Sequence, residues 1–224
     1  MSLARKAALL CALLLGISVS AWAQFMGRGM GHQPPRLPGV FKPVVGSGAE
    51  YEMTSKGETM DFAWAVVGKE KVDGAEGYWL EIRSQGGKMP GEMVMKQLLV
   101  MDAEQTGIKR MIMQPPGRPP MEMPTGMMAM VPHHAPPGEQ SSGEQMGEKV
   151  GSESVTVPAG TFQCEHYRKQ EENRTIDYWI STKVSPYGVV RMTGPDMTMV
   201  LKKELSNETS HVKGEPQKME MPHY

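Results

Sequence analysis

Methionine is the outlier of this 224-residue chain, at 22 residues, and half of them fall in four clusters, three of which include histidine. Met26, Met30 and His32 form one cluster and Met111 with Met113 a second. Met121, Met123, Met127, Met128 and Met130 run up to His133 and His134 as a third, and Met219, Met221 and His223 close the chain as a fourth. Met-Glu-Met-Pro occurs twice, at 121–124 and at 219–222. Thioether sulfur is a soft ligand, and together with imidazole it suits Cu(I) or Ag(I). The set Met121, Met123, Met127, Met128, Met130, His133 and His134 is therefore the candidate metal site, with Cu(I) as its cofactor. The plainer chemistry of methionine is that of a flexible apolar side chain that fills gaps and dresses adaptable surfaces. Under that reading the chain needs no cofactor.

Cys164 and His166 stand two apart on a strand-like run, so their side chains share a face with Phe162. A metal pair or an intermolecular disulfide would use them. Beside Phe162 on an apolar face, an inert buried thiol is the simpler expectation. Signatures of catalysis are missing. The chain holds no Gly-x-Ser-x-Gly, no phosphate loop ending in Lys-Ser/Thr, no His-Glu-x-x-His and no Cys-x-x-Cys. No pair of carboxylates is placed by spacing for acid–base work, and a non-enzyme is expected.

The elements that must position these residues are extended ones. Residues 1–23 read as a secretory signal peptide: Arg5 and Lys6, then an apolar run from Ala7 to Val19, then the cleavage signal Ala21-Trp22-Ala23. Cys11 follows Leu9-Leu10 rather than small residues, which speaks against lipid anchoring. The expected product is periplasmic or secreted and does not span a membrane. Loss of Arg5 and Lys6 from 24 basic side chains leaves 22 against 25 acidic ones, so no basic face invites nucleic acid. Only Cys164 remains after cleavage, and no internal disulfide can form.

Residues 24–43 form a Gly/Pro/Arg-rich lead-in expected to be disordered. A single β-rich domain then spans 44–206. In Thr59 to Val67, Met60, Phe62, Trp64 and Val66 share one face and Asp61, Ala63 and Ala65 the other. Glu92 to Met101 is apolar on both faces apart from Lys96 and Gln97, and fits either a buried strand or a short helix. Residues 115–149 interrupt the domain as a Pro/Met/His-rich loop, with eight prolines between Pro115 and Pro137. Residues 207–224 read as a flexible polar tail. Seven to nine strands at short spacing with little helix point to an open antiparallel sheet, a sandwich or a partial barrel.

The run Val155-Thr156-Val157-Pro158-Ala159-Gly160-Thr161-Phe162-x-Cys164-x-x-Tyr167 resembles a motif of small exported bacterial proteins, as do Asp177-Tyr178-Trp179-Ile180 and Tyr187-Gly188-Val189-Val190-Arg191-Met192. Those proteins are similar to the lipoprotein-carrier superfamily with its LolA/LolB-like fold. The resemblance implies a mainly β protein: a strongly curved antiparallel half-barrel sheet with one or two short helices plugging its hollow. Only 92–101 and part of 139–149 are placed to supply them.

Trp64, Tyr78, Trp79, Tyr178 and Trp179 are expected as core anchors. On a curved sheet, Phe62, Trp64, Val66, Tyr78, Leu80 and Ile82 would line the cavity. Three functions follow. The leading one is a non-catalytic carrier sheltering an apolar ligand, an acyl chain or a lipidated segment. The alternative is a Cu(I)/Ag(I)-binding protein using the Met/His segments. The third is an interaction module whose Pro/Met loop docks on an envelope protein.

Overall fold

The computed structural model describes residues 39, 41–87, 89–101, 106–124, 147–171 and 174–218. Among them extended structure dominates, and no helix occurs. The strands are β1 (Ser47–Ser55), β2 (Glu58–Val72), β3 (Ala75–Gly86), β4 (Met93–Met101), β5 (Thr106–Gln114), β6 (Met121–Glu122), β7 (Glu148–Val157), β8 (Gly160–Glu171), β9 (Arg174–Ile180), β10 (Val189–Gly194), β11 (Met197–Ser206) and β12 (Gln217–Lys218). All belong to one sheet in the order β12-β6-β5-β4-β3-β2-β1-β11-β10-β9-β8-β7. Neighbours are antiparallel except β12, which runs parallel to β6. Only β1–β11 and the β6–β12 pair break sequence order, as expected when tight turns join antiparallel strands.

Alternation decides which face is buried. On β2, Met60, Phe62, Trp64 and Val66 point inward and lie opposite Gly86, Ser84, Ile82 and Leu80 of β3. The same inner face continues through Met53 and Tyr51 on β1 and through Met199 and Leu201 on β11. Met192 and Tyr178 extend it to β10 and β9. One apolar cluster thus draws on both halves of the sheet, which the sheet can do only by curling. Bulges at Glu50/Tyr51 and Val66/Gly68 help it bend. The first of these sets Lys203 opposite Glu50 and Leu201 opposite Tyr51, so Lys203 stays exposed while Leu201 is buried.

The curl brings the β7–β8 turn to β11, where Ala159 N donates to Leu201 O at 3.3 Å, and Arg191 donates to Thr156 O at 3.1 Å. The loop between β9 and β10 fills the core. Val184 and Tyr187 are buried there, and Phe41 packs on Tyr187 with ring centroids 5.3 Å apart. Gly188 closes that loop at φ +79, where a Cβ would meet Ser181 O at 2.9 Å. Among the described residues, then, the filling is a loop and not the helices expected. Segment 92–101 is strand β4 from Met93 onward. It is apolar on both faces because both are covered: Leu99 belongs to the inner core, and Leu98 packs outside with Trp79 and Ile112. Of the second candidate helix, residues 139–146 lie outside the described residues, and Glu148 already belongs to β7.

Two other segments, read from the sequence as loop and tail, carry strand pairing and hydrogen bonds in their described parts. The loop read from Pro115 begins as a short hairpin connection. Arg118 N donates to Pro115 O at 3.1 Å, the Gln114 amide donates to Arg118 O at 3.1 Å, and Met121–Glu122 returns as β6. The polar tail also stays on the sheet through residue 218. Ser210 Oγ and His211 N donate to the Glu81 carboxylate at 2.8 and 3.0 Å, and Lys213 N donates to Gln114 Oε1 at 2.8 Å. Val212 packs over the outer cluster of Trp79, Leu98 and Ile112.

Candidate functional site

A side chain that lines an open hollow keeps surface accessible to water. Of the six expected cavity residues, Phe62, Trp64, Val66, Leu80 and Ile82 keep between 0 and 6 %. They pack on the chain's own side chains: Trp64 sits edge-on to Tyr51 at 5.3 Å and stacked on Phe62 at 5.7 Å. Tyr78, partly buried at the rim of that cluster, donates its hydroxyl to Glu76 at 3.0 Å. This part of the inner face is filled core.

The inner face stays accessible further along, on β4, β5 and β6. Opposite Ile82 and Leu80 on β4 are Met95 and Gln97. Opposite these on β5 are Met113 and Met111, and opposite Met113 on β6 is Met121. Met123 N donates to Met111 O at 2.9 Å, so Met123 continues the register. Met95, Met111, Met113, Met121 and Met123 are all partly buried, and of the five only Met95 packs against the main core. A contiguous methionine surface therefore adjoins the filled hollow.

Its geometry is set from the opposite side. Ile112, Arg110 and Glu122 alternate with the methionines and point outward. Arg110 donates to both Glu122 oxygens, at 2.6 and 3.3 Å, and its guanidinium lies 5.2 Å over the Trp79 ring. Lys96 covers the same ring at 4.6 Å. Trp79 Nε1 donates to Glu70 at 3.0 Å. The bond from Arg110 holds the Glu122 carboxyl below its ordinary pKa and raises that of Arg110. Desolvation against Trp79 lowers that of Lys96. Pinning Glu122 outward forces Met121 and Met123 inward.

Within the methionine face sits one polar side chain. Gln97 is 6 % exposed, its Nε2 lies 3.5 Å from Met95 Sδ, and its Oε1 has no hydrogen-bond partner among the described residues.

Of the seven residues proposed as metal ligands, Met121 and Met123 lie on this face. Met127, Met128, Met130, His133 and His134 lie outside the described residues. The sequence reading grouped Met111 with Met113 but missed Met95 and Gln97, since register across β4 and β5 is what joins them. Among the described residues no group of three or more His, Cys, Asp or Glu is arranged to hold a metal ion.

Cys164 and His166 do not form a site together. Cys164 is buried and free, its thiol directed at Phe162 O at 3.6 Å, and desolvation pushes its pKa up to about 11. His166 stacks on Trp179 at 4.5 Å and contacts Asp177 at 2.7 Å.

On the outer face two clefts of about 220 and about 440 Å³ flank the C-terminal segment, and His211 borders both. Glu50, Asp61 and Arg83 line the first, and the second mixes Gln114 and Lys213 with Pro90, Val94, Pro115 and Pro116. Arg83 pairs with Glu208 at 2.9 Å and touches His211 Nε2. No helix among the described residues is long and apolar enough to cross a membrane.

No protein-family model matches the chain, and neither does any curated protein. Among solved structures it is similar to a presumed exported protein with a YmcC-like fold from Bacteroides fragilis, at 12 % identity and a TM-score of 0.36, over 75 % of this chain and 99 % of the other. It is similar also to a presumed lipoprotein from Parabacteroides distasonis, at 13 % identity and a TM-score of 0.36, again over 75 % and 99 % of the two chains.

Proposed function

We propose that this chain is an exported, non-catalytic binding protein that holds an apolar ligand, an acyl chain or a lipidated segment, against the methionine face of β4–β6. The leader-like residues 1–23 support export. The observation that carries the binding reading is the pair of faces on one sheet. From β1 to β3 the inner side chains are sealed against one another, and from β4 to β6 five methionines in register remain partly accessible.

Methionine is flexible and polarisable, so such a face adapts to chains of differing shape. Each methylene covered contributes ~0.8 kcal/mol. An eight-carbon segment laid on this face would gain several kcal/mol before ordering costs. Phe62, Trp64, Val66, Leu80 and Ile82 then serve as the rigid floor that keeps the sheet curled.

Delipidated protein titrated with a polarity-sensitive acyl probe tests this reading. Saturable fluorescence enhancement, weakened ~10-fold or more by Met113→Glu through burial of an unpaired charge, is the expected result. Protein that neither co-purifies with lipid nor enhances the probe contradicts it.

A further inference from the structure

Three neighbouring strands place six side chains on one face in two rows. Met95, Met113 and Met121 lie directly opposite one another across β4, β5 and β6. Gln97 and Met111 begin the second row, and Met123 completes it through its bond to Met111 O. We infer that this lattice is a binding site for one soft monovalent cation, Cu(I) or Ag(I), ligated by the thioethers of Met111, Met113, Met121 and Met123.

Spacing permits it. Directly opposed Cβ atoms lie ~5 Å apart and successive inward residues ~6.6 Å apart, so the centre of the four-methionine rectangle is ~4 Å from each Cβ. A sulfur two bonds beyond Cβ, with a metal–sulfur bond of ~2.3 Å, spans that distance while the backbone stays still. Methionine's three rotatable bonds give the convergence.

Chemistry selects the ion. The two rows hold neutral sulfur and one amide and no carboxylate or imidazole, a donor set for soft ions and a poor one for Zn²⁺ or Ca²⁺. Gln97 borders the four-methionine rectangle from β4. Its buried amide oxygen has no partner among the described residues, and its nitrogen touches Met95 Sδ at 3.5 Å. The alternating outward residues, with Arg110 bonded to Glu122, fix the β6 half of the lattice before any ion arrives.

This site goes beyond the apolar-ligand reading, because it needs sulfur lone pairs where that reading needs only apolar area. Leucine separates the two, since it keeps the volume of methionine and removes the ligand atom. Full-length mature protein and its M111L/M113L/M121L/M123L variant would be titrated with Ag(I) in chloride-free buffer and with Cu(I) against a bicinchoninate competitor. The acyl probe would be titrated in parallel.

The inference predicts one ion per chain for the wild type and an affinity at least ~10-fold lower for the variant, with the acyl probe reporting on the apolar-ligand reading separately. No stoichiometric uptake by the wild type, or unchanged affinity in the variant, overturns it. Loss of acyl binding alone, with ion affinity unchanged, overturns it too. Should the variant not fold, methionine ε-methyl NMR of the wild type decides. Shifts of those four methyls that saturate at one Ag(I) support the site, and unmoved methyls overturn it.

Discussion

A buried amide oxygen without a partner costs roughly 1–3 kcal/mol, and among the described residues Gln97 carries one in the midst of apolar side chains. Its neighbours across the sheet, Leu80 and Met111, offer it no donor through their side chains. Gln97→Leu should therefore stabilise the ligand-free protein by ~1 kcal/mol in urea unfolding. A clear loss of stability would mean that Gln97 serves packing alone. Cys164 yields the opposite kind of test. With its pKa pushed up to about 11, the thiol stays protonated at pH 8 and is inert as well as buried. Iodoacetamide at pH 8 should modify it only after denaturant is added, and prompt labelling of the native protein would refute its burial. The character of Cys164 was legible from Phe162 beside it. Gln97 was not, because a glutamine in an apolar run reads as a break in the pattern until its cross-strand neighbours are known.

At the scale of elements, the inner face of β2 could be read from strict alternation, which a period of two makes unambiguous. Strand β4 could not, since burial on both faces erases the alternation. β6 was hidden by Pro115, Pro116, Pro119 and Pro120, which look like a long loop and in fact build the turn that returns the chain to β5. The C-terminal strap is not legible in the sequence because its anchors to Glu81 are polar, the Ser210 hydroxyl and the His211 amide, with only Val212 as apolar cargo.

Two predictions belong here. Glu81 is 1 % exposed, and deleting residues 207–224 strips its donors and uncovers Trp79, Leu98 and Ile112. That truncation should lower stability by roughly 3 kcal/mol, read by denaturant melts. An unchanged midpoint would mean that the strap merely rests on the sheet. The second concerns β6. The Glu122 carboxyl has its pKa depressed by Arg110, so the pairing stabilises β6 above the ordinary carboxylate pKa and fades as pH falls through the lowered one. Glu122→Gln should mimic acid, loosening β6 by ~0.5 kcal/mol as expected for a partly exposed pair. Faster amide exchange at Met123 N in the variant would confirm it, and unaltered exchange would detach Glu122 from the register of the methionines.

Across the whole molecule, one curled sheet divides its inner face between a sealed part and an accessible one. The aromatic residues of β2 and β3 attract attention in the sequence because large apolar side chains are what a hollow would need. The same chemistry serves a filled core, and only packing separates the two. Here Tyr51, Trp64, Phe62 and the β9–β10 loop residues close the space. What remains accessible is edged by methionine.

The most direct test of that division is intermolecular NOE spectroscopy between a bound acyl ligand and selectively labelled methyl groups. Contacts to the ε-methyls of Met95, Met111, Met113, Met121 and Met123, with none to Val66, Leu80 or Ile82, are the predicted result. Contacts centred on Val66, Leu80 and Ile82 would show instead that the core opens to admit the ligand, and would contradict the account.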